Sequence, residues 1–111
     1  MEDCVFCKIA RHQLATDMLI ENEHLSLIRD ILPKAPVHLL VIPKQHIPSV
    51  NELTEDQQSL VGEMILTAKQ QATEQGVGAS GYKLVFNIGK DGGQIIPHLH
   101  LHVLGGKKLE D

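Results

Sequence analysis

The chain has no long apolar run, only two cysteines and no excess of positive charge. Without the ~18 consecutive apolar residues of a bilayer-spanning helix, a membrane-embedded reading falls away. Two Cys, Cys4 and Cys7, are too few for a disulfide framework, and their CxxC spacing points to a metal or redox pair. Ten Lys and Arg against 14 Asp and Glu give a net charge of −4, which argues against a surface for duplex nucleic acid or an anionic membrane. The opening MEDCVFCKIA has no basic stretch before its apolar residues, so no secretory signal is expected and a cytoplasmic setting is.

What is present is an apolar fraction of 42%, too high for a disordered chain. The length of 111 residues fits one compact domain over 1–111, and no repeat, low-complexity tract or linker divides it. Residues 4–11 read as a short helix or turn. Apolar runs at 18–20 and 25–28, separated by Glu21-Asn22-Glu23-His24, predict a hairpin. Pro33 and Pro36 place a loop, and 38–42 (HLLVI) predicts a strand buried on both faces and stopped by Pro43.

A long helix is expected from Thr54. Thr54 and Gln57 have capping-box spacing, and Glu55 and Asp56 complement the positive end of the helix dipole. Leu60, Val61, Met64, Ile65, Ala68 and Ala72 form its apolar stripe, and Gly76 and Gly78 end it. Strands are expected at 83–88 and 98–104, with the loop Gly89-Lys90-Asp91-Gly92-Gly93-Gln94 between them. The fold class is therefore α+β: a largely antiparallel sheet of about five strands with one long and one short helix.

In a strand at 98–104, side chains alternate, so His98, His100 and His102 share one face while Leu99, Leu101 and Val103 bury the other. Folding accounts for the apolar face and not for three imidazoles opposite it. Two chemistries suit them. The rings can bind a transition metal. Alternatively, the middle imidazole, a competent nucleophile near pH 7, attacks phosphorus while a neighbour supplies a proton. Gly92 and Gly93 would let backbone amides approach an anion. Spacing alone leaves both open.

The segment Pro36-x-His38-x-Leu40-Val41-Ile42-Pro43-Lys44-x-His46, the capped helix, Gly92-Gly93-Gln94 and Pro97-His98-Leu99-His100-Leu101-His102-Val103-Leu104 together resemble the histidine triad (HIT) family. Asp3-Cys4-x-x-Cys7-Lys8-Ile9 is similar to its opening, and the small nucleoside phosphoramidase-like branch is the nearest. The resemblance implies a homodimer that hydrolyses P–N or P–O–P bonds at the α-phosphate of a nucleotide, purines favoured. A covalent nucleotidyl-His100 intermediate would release a nucleoside 5′-monophosphate. It implies His100 as nucleophile and His102 as hydrogen-bond partner of the phosphate or leaving group. Asn87, Gly93 and Gln94 would contact the phosphate and Asp30 the ribose hydroxyls, with Ile28, Leu14, Leu19 and Ile20 beside the base. It further implies a zinc set of Cys4, Cys7, His46 and His98, which four-coordination without an open position would make structural. The chemistry itself needs no metal in that scheme.

Two positions depart from the branch. Ile95 stands where it places a Ser three residues before the first His, and Ile95 cannot donate or relay a proton. The segment after Gly106 lacks the branch's aromatic-Pro tail. These motivate an alternative, a nucleotide-binding or scaffold protein with vestigial catalysis. A metalloenzyme using the three His as ligands lacks an acidic ligand. A CxxC redox protein lacks a thioredoxin-like βαβ context.

Overall fold

The computed structural model describes residues 4–110; Asp3 of the N-terminal motif and Asp111 lie outside them. Helix α1 spans Val5–Ala10, and strands β1 (Met18–Glu21) and β2 (Leu25–Arg29) form the expected hairpin. Strand β3 (Val37–Pro43) follows the proline loop, then two short 3₁₀ turns, α2 (Gln58–Glu74), β4 (Tyr82–Val85) and β5 (Leu101–Gly105). All pairings are antiparallel, in the order β1-β2-β3-β5-β4, so β3 and β5 lie side by side near the middle of the sheet.

Period-two alternation sorts the two faces. Leu25, Leu27, Leu39, Val41, Leu101 and Val103 pack with Met64, Ala68 and Ala72 of α2. Ile28, Leu40 and Ile42 face the other way and pack with Phe6 and Ile9 of α1. Strand β3 is thus apolar on both sides because a helix covers each, as its uninterrupted apolar run predicts. The α2 stripe is narrower than expected: Met64, Ala68 and Ala72 are buried, with Gln71 beside them, while Ile65 is 42% exposed.

Helix α2 begins as anticipated at Thr54. Gln57 Oε1 accepts from the Thr54 N–H (2.7 Å) and hydroxyl (2.9 Å), although the first turn, Glu55–Gln57, is 3₁₀. It ends in a Schellman motif: Val77 N–H bonds Ala72 O and Gly76 N–H bonds Thr73 O, with Gly76 at φ +83°.

Two strand boundaries differ from expectation. The final strand starts at Leu101 and not at 98, because the preceding residues bond elsewhere: Leu99 N–H reaches Ile47 O at 2.6 Å and His98 N–H reaches Ile96 O at 2.8 Å. The strand expected at 83–88 spans Tyr82–Val85. Its last partner is His102, and Asn87 lies two residues beyond it, turning the chain with a 2.8 Å bond from Nδ2 to Gly92 O. The alternation nevertheless persists through 98–103, since Leu99 joins the α2-side core while His98 and His100 pack against Phe6 of α1.

Candidate active site

On the α1 side of the sheet, a cleft of about 510 Å³ brings together Asp30, His38, Asn87, Gly93, His100 and His102. Ile28 and Leu14 line its apolar part, joined by Phe6, Ile9 and Leu40, which were not expected to line it. Leu19 and Ile20, expected beside a base, instead both pack on the α2-side core, where a register irregularity between Met18 and Ile20 interrupts the alternation of β1. Ile95 sits on the rim, 89% exposed.

Hydrogen bonds fix which nitrogen of each ring carries a proton. His100 Nδ1–H donates to the His98 main-chain oxygen at 2.7 Å, which leaves its Nε2 with a lone pair and, among the described residues, no protein partner. His38 Nδ1 accepts the Lys34 N–H at 3.1 Å, so its Nε2 holds the proton and donates to His102 Nδ1 at 2.9 Å. His102 is thereby left with its proton on Nε2. Asp30 Oδ2 stands 3.3 Å from the same His38 Nε2, while Oδ1 accepts the Leu32 N–H at 2.9 Å. The rings of His100 and His102 lie with centroids 5.0 Å apart.

Burial keeps this row neutral. It pulls His100 below the ordinary imidazole range, against the opposing pull of the His98 oxygen and the Asp30 charge. Burial also lowers His38, which Asp30 partly offsets. His102 falls furthest, to about 4, through burial first and then the neighbouring His100 and His38. A cleft with a neutral lone-pair nitrogen beside a neutral N–H donor can attack an electrophile and hydrogen-bond the charge that develops.

Gln94 and the glycine loop act differently from a row of free anion donors. The Gly93 N–H closes on Lys90 O at 3.1 Å and the Gln94 N–H on Gly89 O at 3.0 Å. The Gln94 carboxamide accepts from Gly89 N–H and donates to Pro48 O (2.7 Å) and Ile96 O (3.0 Å), bracing the loop against the segment after β3. A side chain at Gly92 would put its Cβ 2.2 Å from Ile88 O, so the turn requires glycine there.

Behind the cleft, Cys4, Cys7, His46 and His98 converge, with one donor atom from each lying within 4.8 Å of the others. His98 Nε2–H donates to Pro43 O at 2.8 Å, so its Nδ1 turns a lone pair toward the thiols. The separations are 3.1 Å to His46 Nδ1, 3.3 Å to Cys4 Sγ and 3.6 Å to Cys7 Sγ, with Cys7 Sγ to His46 Nδ1 at 3.2 Å. A tetrahedral zinc with bonds of ~2.3 Å to sulfur and ~2.0 Å to nitrogen has ligand–ligand edges of about 3.3–3.8 Å, so this donor set fits the ion closely. A second cluster, Asp30, His38 and His102, is less suited to a metal: His38 would need a lone pair on Nε2 while Nδ1 already accepts from Lys34. His12 and His24 stand apart on the surface, paired with Glu21 and Glu63.

Comparison with known proteins agrees with this architecture. A family model described as scavenger mRNA decapping enzyme C-term binding matches residues 3–110. A purine nucleoside phosphoramidase of Escherichia coli (strain K12) is 37% identical over 108 residues, spanning 97% of this chain and 91% of its own. The crystal structure of a HIT family hydrolase from Legionella pneumophila Philadelphia 1 matches with a TM-score of 0.96 at 41% identity, covering 97% of this chain and 96% of that one. A Zn-bound histidine triad family protein from Mycobacterium smegmatis matches with a TM-score of 0.82 at 28% identity, covering 96% and 76%. With its alternating histidines at 98, 100 and 102 set on this antiparallel sheet, the chain belongs to the HIT family.

Proposed function

We propose that the protein is a nucleotide hydrolase acting at the α-phosphate of nucleoside phosphoramidates or dinucleotide-type substrates, through a nucleotidyl-His100 intermediate. The observation that carries this reading is the tautomer of His100: its Nδ1–H is committed to the His98 oxygen, so Nε2 offers a lone pair to the cleft. In the first half-reaction Nε2 attacks phosphorus, and the bond to the leaving nitrogen or oxygen breaks with its electron pair. The His102 Nε2–H hydrogen-bonds the transferred phosphate or the departing atom, and a departing nitrogen takes its proton from water. Water then attacks phosphorus, the bond from phosphorus to His100 Nε2 breaks with its electron pair returning to the ring, and a nucleoside 5′-monophosphate is released. Asp30 accepts the ribose hydroxyls, Asn87 and Gly93 lie by the phosphate with Gln94 holding their loop, and Ile28 flanks the base. Purine preference is supported by the name of the E. coli relative.

Zinc held by Cys4, Cys7, His46 and His98 would be structural, four-coordinate and without an open position for substrate. It would tie α1 to the core as metal closure does in small domains. A zinc-bound relative in the same family supports this. A homodimer is supported by apolar surface that one chain leaves uncovered: Leu66 at 65% and Ile65 at 42% exposed on α2, and Leu84 at 37% on the edge strand β4. Sedimentation at micromolar concentration would report a single species of twice the chain mass.

Intact mass after brief reaction with an adenosine phosphoramidate tests the chemistry. The expected product is one nucleoside monophosphate on His100, absent in His100→Ala together with turnover. Ile95, exposed on the rim with no proton to give, favours a second reading, nucleotide binding with vestigial catalysis. Equal, near-background rates in the wild type and His100→Ala, with nucleotide still bound, would establish that reading instead.

A further inference from the structure

His98 belongs to both halves of the molecule's chemistry. Its Nδ1 faces the two thiols and His46, while its main-chain oxygen accepts the proton that sets the tautomer of His100. A second connection runs through Phe6. That residue stands between Cys4 and Cys7 on one turn of α1, and Cys4 caps the helix by accepting the Cys7 N–H at 3.4 Å. Its ring packs edge-on against His98 (centroids 5.7 Å, 88°) and against His100 (5.0 Å, 67°). Phe6 is 4% exposed and seated among Ile28, Leu40 and Ile42, so the ring has no room to turn independently of the helix that carries it.

We infer that Phe6 is a positioning residue that ties the orientation of the His100 ring to the filling of the Cys4–Cys7–His46–His98 cluster, so that this cluster sets turnover as well as holding the N-terminal helix. The inference rests on the reading of His100 as nucleophile only for its kinetic consequence; the mechanical link stands on the packing. With the cluster filled, the turn from Cys4 to Cys7 is pinned at both ends and Phe6 presses its edge on the ring of His100. Without an ion bonded to all four donors, Cys4 and Cys7 lose the links that hold their turn to His46 and His98. The turn relaxes, and with it the clamp on the nucleophile. A misplaced attacking atom lowers the rate of the chemical step while the base and ribose contacts, made elsewhere in the cleft, stay in place.

The test compares Zn(II)-loaded and chelator-stripped protein, wild type and Phe6→Leu, by ring ¹⁵N–¹H correlation NMR of His100 and by steady-state kinetics. Stripping the wild type is expected to shift or broaden the His100 ring signals and to lower kcat about 10-fold with KM changed less than about 2-fold. Loaded Phe6→Leu is expected to bind one zinc, keep a zinc-dependent rise in Tm, and already show the displaced His100 signals and reduced kcat. Further stripping should then alter its His100 signals less than half as much as in the wild type. Phe6→Tyr, which keeps the ring edge, should restore the wild-type response. His100 signals that superimpose in loaded and stripped wild type would overturn the inference. So would a Phe6→Leu protein that responds to stripping as the wild type does, or one that only loses Tm. The NMR response is read without substrate, so a protein with no turnover would sink the hydrolase reading and leave this one standing or falling on the spectra.

Discussion

His38 and His102 share one hydrogen bond, Nε2 to Nδ1 at 2.9 Å, and its direction is set outside both rings by the Lys34 N–H on His38 Nδ1. A backbone amide in the proline loop therefore determines which nitrogen of His102 carries a proton. Replacing His38 with Leu should leave His102 free to choose either tautomer. The expected result is a fall in kcat of about 10- to 100-fold with a smaller change in KM, as for loss of a hydrogen-bonded partner that orients a functional ring. Ring ¹⁵N shifts of His102 should change from a single Nε2–H form to a mixture.

Acidification should destabilise the fold through the same rings. His102 titrates near 4 in the folded protein and near 6.5 when unfolded, and burial lowers His38, His98 and His100 in the same direction. Between those values the unfolded chain binds more protons, so stability is complete above about pH 6.5 and is lost progressively toward pH 4. Denaturant midpoints measured on chelator-stripped protein, where metal release plays no part, should fall across that window. In His102→Gln the fall should be shallower. The acid limb of kcat/KM should likewise lie below pH 6.5, because the buried His100 resists protonation.

Asp30 should discriminate between sugars. One oxygen caps the turn at Leu32 and the other stands at the cleft beside His38. If it accepts the ribose hydroxyls, Asp30→Ala should raise KM for a ribonucleoside phosphoramidate about 10-fold. KM for the 2′,3′-dideoxy analogue should hardly change. Equal losses on both substrates would show that Asp30 acts through the His38–His102 pair and not on the sugar.

Gly92→Ala should disrupt the loop despite adding one methyl group. The new Cβ would meet Ile88 O at 2.2 Å, so the turn must open, and Asn87 Nδ2 then loses its bond to Gly92 O. A loss of roughly 1–3 kcal/mol is expected from denaturant unfolding. Turnover should drop with it, because Asn87 and Gly93 line the cleft.

Much of this arrangement is legible in the residue order where local signals decide. The apolar run ending at Pro43 announces β3, and Thr54 with Gln57 announces the start of α2. The edges of β4 and β5 are not local matters. Leu99 N–H finds Ile47 O far back along the chain and His98 N–H turns to Ile96 O, so 98–100 stay out of the strand while keeping its alternation. Gln71 reads as polar surface yet is 3% exposed, with its carboxamide bonded to Glu74. At the site, the alternating histidines stand out as a pattern. The use of His38 does not, since it depends on a main-chain amide four residues earlier that no pattern marks. Phe6 is hidden in the same way: in the sequence it is an aromatic between two cysteines, and its contact with His100 exists only once α1 is laid across the sheet.

The segment from 98 to 103 gives every second side chain to the α2-side interior and every other one to an imidazole on the opposite face. No slack separates the two duties, so inserting or deleting one residue there would send the imidazoles inward and the leucines out. Such a site can drift in substrate or speed by exchanging neighbours around it, but it cannot slide along its own backbone.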